Sequence, residues 1–216
     1  MVKSRHLRIT EPSPWVMRFA ALVPAGGTVL DLAAGGGRHA RLFLERGCTV
    51  VAIDRDASPL AALAVEAGAT VIEADLEGDP PAFAGGGALA GRIFDAVVVV
   101  NYLYRPMMGL LIDAVAPGGV LIYETFARGN EAFAKPRNPD HLLKSGELLS
   151  LIAGRLQVVA YEHGRCDSGD IPGVKQRLCA INDLGASERG DGEPPPHPVM
   201  RRPESLREDR RTKQSA

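Results

Sequence analysis

Asp31 stands inside an otherwise apolar run, Val29-Leu30-Asp31-Leu32, and Ala33-Ala34-Gly35-Gly36-Gly37 follows at once. A carboxylate inside a buried strand is costly unless something pairs with it. Three glycines cost conformational entropy; they allow positive φ and let a ligand approach the backbone without Cβ in the way. Gly35-x-Gly37-x-x-Ala40 satisfies the dinucleotide fingerprint G-x-G-x-x-G/A. A negative charge at Asp31, however, repels a pyrophosphate and suits a cationic ligand. Two further acids end candidate strands. Asp54 closes a strand over 49–53, with Arg55 beside it, about twenty residues past the glycine turn, where nucleotide-binding folds place an acid on the ribose hydroxyls. Asp75 closes a strand over 70–74, with Leu76 next.

These residues need a parallel sheet to carry them. Residues 29–32 are short, apolar and β-compatible, as a central strand requires. Residues 38–46 read as the helix after the turn, with Leu42 and Phe43 on its apolar side and Gly47 as its stop. Ahead of them, Ser13-Pro14 opens a helix whose Trp15, Val16, Phe19, Leu22 and Val23 form one packing face. Ser58-Pro59 predicts a helix over 60–67, closed by Gly68. Residues 77–92 are a turn-rich connection. Residues 94–100, ending in four valines, are the strongest strand, and they deliver Asn101, Tyr102 and Tyr104 to the carboxyl edge of the sheet. A helix from Pro106 through Val115 stops at Pro117-Gly118-Gly119, and a fifth strand over 120–123 brings Glu124 to the same edge. Ser145 caps a last helix ending at Ala153, and strands over 156–162 and 174–181 close the sheet as an antiparallel hairpin around the loop 164–173.

The segment Asp31-Leu32-Ala33-Ala34-Gly35-Gly36-Gly37 resembles the first motif of class I S-adenosylmethionine-dependent methyltransferases, with Ala33 where glycine is usual. Ala116-Pro117-Gly118-Gly119-Val120-Leu121-Ile122 resembles the turn before their fifth strand. The resemblance covers residues 13 to 183 and rests on the order and spacing of Asp31, Gly35, Gly37, Asp54, Asp75, Asp95 and Pro117-Gly118-Gly119. Within the superfamily the chain is similar to small bacterial stand-alone enzymes, including tellurite-resistance methyltransferases. The resemblance implies a Rossmann-like α/β fold: a seven-stranded, mostly parallel sheet of order 3-2-1-4-5-7-6, its last strand antiparallel, with helices on both faces. It implies S-adenosyl-L-methionine as cofactor and S-adenosyl-L-homocysteine as product, held by Asp31, Ala33, Gly35, Gly37, Asp54, Arg55, Asp75, Leu76 and Asn101. Asp54 takes the ribose, while Asp75 and the Leu76 amide take the adenine. For the acceptor, Asn101 orients a polar group or the methyl-bearing end of the cofactor, Tyr102 and Tyr104 wall the pocket, and Glu124 is the candidate base, unless it pairs with Arg105 or Arg128. No Asn-Pro-Pro-Tyr follows the fourth strand, which argues against DNA-base and glutamine-amide acceptors.

Composition narrows the rest. The 216 residues suit one domain over 13–184, with a flexible lead over 1–12 and a charged, proline-rich, disordered tail over 185–216. A net charge of −1 offers no global field for nucleic acid. Three scattered cysteines suggest neither a disulfide framework nor a zinc site, and no ligand cluster suggests another metal. No apolar run is long enough for a membrane span, and the first ten residues lack a signal-peptide core, so a cytoplasmic location is expected. Lys135, Arg137 and Asn138, with His163 and Arg165, give the acceptor edge a positive character that suits a small anion. A nicotinamide-dependent oxidoreductase is the alternative that the glycine fingerprint allows, although the chain has no Tyr-x-x-x-Lys. A cofactor-binding module without catalysis is another.

Overall fold

The computed structural model describes residues 9–166, 171–187 and 190–198. Seven strands form one sheet: β1 (Thr28–Leu32), β2 (Thr49–Asp54), β3 (Ala69–Glu73), β4 (Phe94–Val100), β5 (Val115–Phe126), β6 (Gln157–Cys166) and β7 (Gly173–Ile181). Their order is β3-β2-β1-β4-β5-β7-β6, parallel from β3 to β5, with β7 antiparallel to both its neighbours. This is the expected class I methyltransferase architecture. Among the described residues four α-helices flank it: α1 (Pro14–Phe19), α2 (Arg38–Glu45), α3 (Met108–Asp113) and α4 (Glu147–Ile152).

Side chains alternate across a strand, so each strand feeds two cores. Leu30, Leu32, Val97, Val99, Leu121 and Tyr123 face α3 and α4, with Leu111 and Leu148 against them. Val29, Ala96, Val98, Val120 and Ile122 face α1 and α2, against Trp15, Phe19 and Phe43. The same period puts Asp31, two residues past Val29, and Glu124, two past Ile122, on the α1–α2 side. Both are buried polar groups inside apolar strands. The Ser13 side chain caps α1 by accepting from the Trp15 amide, and Trp15 Nε1 ties the helix to the Leu178 carbonyl of β7. Among the described residues no helix is long and apolar enough to cross a membrane.

Several elements differ from the sequence reading. The helix expected over 60–67 is reduced to two 3-10 turns, Ser58–Leu60 and Leu63–Val65. Only Leu60 and Leu63 pack, while Val65 is 87% exposed, so there is no continuous apolar face to hold a longer helix. The helix expected from Pro106 through Val115 is a 3-10 turn, Arg105–Met107, followed by the short α3. β5 begins at Val115, not 120, and Pro117-Gly118-Gly119 sits in a bulge where its pairing with β4 shifts register. There Gly118 has φ +74; its amide donates to the Asn182 carbonyl just past β7, and the Asn182 amide donates to the Gly119 carbonyl. α4 starts after Gly146 in the left-handed region, without a Ser145 cap. β6 runs on to Cys166, so the hairpin loop is shorter than expected. Most of the lead and tail lie outside the described residues. Within the tail, His197 Nε2 lies 2.5 Å from Asp183 Oδ2.

Leu60 and Leu63 also explain why the third glycine of the turn must be glycine. Gly37 has φ +72, and a Cβ there would meet Leu60 Cδ2 at 2.9 Å and Leu63 Cδ2 at 3.3 Å. Gly37→Ala combines left-handed strain of about 1–2 kcal/mol with overpacking of about 1–3 kcal/mol. Thermal unfolding should drop by about 10 °C. Gly26→Ala, with φ +73 but open space around it, should fall by less than half as much. Equal drops would show that the contact with Leu60 does not matter.

Candidate functional site

The glycine turn is built by three left-handed residues, Ala33 (φ 55), Gly35 (φ 57) and Gly37 (φ 72). Neighbouring strands hold it in place. The Ala34 amide donates to the Ile53 carbonyl at 3.0 Å, and the Gly35 amide to Asp54 Oδ2 at 2.8 Å. Asp54 Oδ1 also accepts from the Asp56 amide at 3.2 Å. A carboxylate has about four acceptor positions, so Asp54 braces the turn and keeps two for a ligand.

Asp31 lies beneath this turn, 1% exposed. Its Oδ2 accepts from the Ala40 amide in the first turn of α2 at 3.0 Å, and His39 Nδ1 is 3.8 Å from Oδ1. Burial raises its pKa to about 7; the Ala40 amide and Arg38 oppose the rise, and Asp54 adds to it. His39 Nε2 accepts from the Ser13 amide at 3.1 Å, so in the neutral ring the proton is on Nδ1, toward Asp31.

The opposite side is set by β4, β5 and β7. Asn101 follows β4 with φ 59, and its amide donates to the Glu124 carbonyl at 2.8 Å. Its side-chain Oδ1 accepts from Lys175 Nζ at 3.0 Å. Lys175 is 1% exposed and also donates to Glu124 Oε1 at 2.8 Å. Arg177 stands directly across from Glu124 in the β5–β7 register, its Nε 2.7 Å from Oε2. The Ser13 hydroxyl donates to the same Oε2 at 3.3 Å. Tyr102 donates to Glu77 Oε1 at 3.3 Å, and burial, with the Glu77 charge beside it, pushes its hydroxyl well above the ordinary phenol range. Tyr123, inside the core, donates to the Tyr102 carbonyl at 3.1 Å.

Between these two sides is a cavity of about 1150 Å³ over the carboxyl ends of β1 to β5. The structure brings Asp31, Ala33, Gly35, Asp54, Arg55, Asp75, Leu76, Asn101 and Tyr102 together on its walls. Asp75 is exposed and accepts from the Glu77 amide at 2.9 Å, and Leu76 is buried beside it. Gly37 and Tyr104 are not on the wall; Gly37 sits at the start of α2. Glu124 is not on the wall either. It is fully buried and held by Lys175, Arg177 and Ser13, so it pairs with neither Arg105 nor Arg128 and is poorly placed to take a proton from a ligand. Arg105 instead grips Glu147 through Nε at 2.6 Å and the Asp140 and Leu142 carbonyls. Of the basic loop residues, Lys135 lines the cavity; Arg137, His163 and Arg165 do not, and Arg165 stacks over Phe133. Sequence reasoning missed His39, Thr125, Phe126 and His141 on the walls and Lys175 behind them. Lys175 carried a signal. Like Asp31, it is a charge in a strand that must be buried. Among the described residues no group of three or more His, Cys, Asp or Glu could hold a metal ion.

The Asp31 geometry fixes a stability trend. Its carboxyl holds a proton more tightly in the folded chain than at its ordinary pKa of 3.8. Stability therefore falls as pH rises from about 4 to 7, and above 7 the full penalty, about 4 kcal/mol, is present. Asp31→Asn keeps an acceptor for the Ala40 amide and removes the charge. It should unfold several degrees above wild type at pH 8 and by less than half that margin at pH 5. Thermal melts of both proteins at both pH values check this; a variant no more stable at pH 8 would mean that Asp31 is compensated within the protein.

No family model and no curated protein matches the chain. Solved structures do. An S-adenosylmethionine-dependent methyltransferase from Mesorhizobium loti superposes with a TM-score of 0.59 at 19% identity, over 78% of this chain and 97% of that one. The N-methyltransferase NodS from Bradyrhizobium japonicum, in complex with S-adenosyl-L-homocysteine, gives 0.55 at 15% identity, over 78% and 83%. A TehB-like methyltransferase from Corynebacterium glutamicum gives 0.54 at 16% identity, over 78% and 87%. At these identities the likeness is one of fold: the chain has the Rossmann-like fold of class I S-adenosylmethionine-dependent methyltransferases.

Proposed function

We propose that this protein is an S-adenosylmethionine-dependent methyltransferase acting on a small-molecule acceptor. The observation that carries the reading is Asp31, a buried carboxylate on the cavity wall whose nearest protein cation candidate, His39, is 3.8 Å away. A cationic ligand stabilises that charge, and a pyrophosphate is repelled by it, which sets the nicotinamide alternative aside. The other wall groups fit the same cofactor. Asp54 has acceptor positions left for two ribose hydroxyls, and Arg55 flanks it. Asp75 and the Leu76 amide are placed to read a base edge. Ala33 and Gly35 let the chain pass close to the ligand, and Asn101 bounds the far end.

When bound, the cofactor supplies a methyl group on a sulfonium sulfur, already activated toward a nucleophile. The chain's contribution is to align the two partners, and orientation of this kind supplies roughly 7–11 kcal/mol of a barrier. The rigid bracing of the turn and of Asn101 serves that end. Three scattered free cysteines support a reducing, cytoplasmic setting.

Isothermal titration at pH 8 should show S-adenosylhomocysteine binding at least 100-fold more tightly than NADH or NADPH. Asp54→Ala should weaken it about tenfold or more while the protein stays folded. Because Asp31 must be ionised to hold a cation, affinity should fall as pH drops below about 7, by up to tenfold per unit, with proton release on binding near neutrality. Equal affinity for a nicotinamide cofactor would overturn the reading. Binding without methylation of any metabolite from a cell extract would favour a non-catalytic module.

A further inference from the structure

The carboxylates of the cavity wall are confined to one half, and the strand order makes the division. Asp31, Asp54 and Asp75, from the ends of β1, β2 and β3, line one half with Glu77, which accepts from the Tyr102 hydroxyl, and Arg38, His39 and Arg55 stand among them. The half over β4 and β5 is lined by Asn101, Thr125, Phe126, Lys135 and His141, and none of its described lining residues is a carboxylate. Pro136 and Pro172 add flat apolar surface there. At about 1150 Å³ the cavity is slightly larger than the usual 300–1,000 Å³ of a ligand pocket.

Asn101 decides what the second half offers. A lysine ammonium only donates, so the Asn101 oxygen, 3.0 Å from Lys175 Nζ, is committed to it. The amide nitrogen is then what Asn101, a cavity-lining residue, has left to offer a ligand. Lys175 cannot turn away, because Glu124 holds it at 2.8 Å and the Phe126 ring lies 5.0 Å from its nitrogen. Asn101 and Lys135 thus present donors, the amide N–H and the ammonium, and with no carboxylate among the described residues lining that half they suit an anion better than an amine.

Resting on the methyltransferase reading above, we propose that the β4–β5 half is the acceptor subsite and takes a small aromatic or otherwise flat anion. Lys175 is its positioning residue, aiming the Asn101 amide at the negative charge. An acceptor that arrives as an anion already carries the electron pair it needs, so no residue has to take a proton. That agrees with Glu124 being sealed away.

The test uses the full chain saturated with S-adenosylhomocysteine at pH 8, titrated with benzoate, benzamide and benzylamine. Benzoate should bind at least tenfold more tightly than either of the others. Asn101→Asp keeps a partner for Lys175 but turns an acceptor to the cavity, and it should reverse the order in favour of benzylamine. Lys175→Met should abolish the benzoate preference with S-adenosylhomocysteine affinity within threefold of wild type, a split that a merely structural role would not give. If Lys175→Met fails to fold, Asn101→Asp decides alone. Equal binding of the three probes, binding of none, or a benzoate preference that survives Asn101→Asp overturns the proposal. Absence of S-adenosylhomocysteine binding at the start would overturn the methyltransferase reading, and the subsite with it.

Discussion

Glu124 is a carboxylate with no exposure to water, and Lys175, Arg177 and Ser13 all converge on it. Burying three charges is expensive, and a pair in such surroundings stays together because breaking it costs about 3–5 kcal/mol. That constraint reaches well beyond one side chain. It fixes the register of β7 on β5, since a slip of one residue would turn Lys175 and Arg177 to the opposite face. It fastens α1 to the sheet through Ser13. It holds the Lys175 ammonium where the Asn101 oxygen must meet it.

Asp31 is the counterpart. Both acids point to the α1–α2 side of the sheet, and a chain of buried polar groups joins them: Asp31, His39, Ser13, Glu124. Their surroundings differ. Glu124 has an ammonium at 2.8 Å and a guanidinium nitrogen at 2.7 Å, whereas Asp31 has one backbone amide at 3.0 Å and a histidine nitrogen at 3.8 Å. Desolvation of the same chemical group is answered inside the protein in one case and only in part, by the Ala40 amide and Arg38, in the other; on the proposed reading a ligand answers the rest. A fold that answered both would be more stable and would have less reason to bind a cation.

What was legible in the sequence follows the range of the interactions. β4 was read at its true bounds because its signal, a run of valines, is local. Asp31, Asp54 and Asp75 were legible because glycine turns and strand ends punctuate the chain near them. The helix over 60–67 failed because caps at its ends say nothing about whether Val65 finds a surface to pack on. Glu124 was placed at the right edge but given the wrong surroundings. Its partners lie 51 and 53 residues further on and, at Ser13, 111 residues earlier, and no local pattern carries that pairing. Lys175 showed locally only as a charge in a buried strand; its partners Glu124 and Asn101 lie 51 and 74 residues away in the chain.

Ala33 and Asn101 are the only non-glycine residues with positive φ among those described. They follow β1 and β4, the neighbours between which the strand order reverses, and both line the cavity. For Ala33 that backbone costs about 1–2 kcal/mol, and for Asn101, whose short polar side chain suits the left-handed region better, it costs less. Strain of this kind persists only where the surroundings over-determine it. At Asn101 those surroundings can be named: the Glu124 carbonyl takes the backbone amide and Lys175 takes the side-chain oxygen. The strained residue therefore has both its backbone and its side chain aimed by the same buried cluster. A glycine there would relieve the strain and lose the one polar group that this cluster directs into the cavity. On the proposed reading, a ligand that must be met from a fixed direction accounts for that choice.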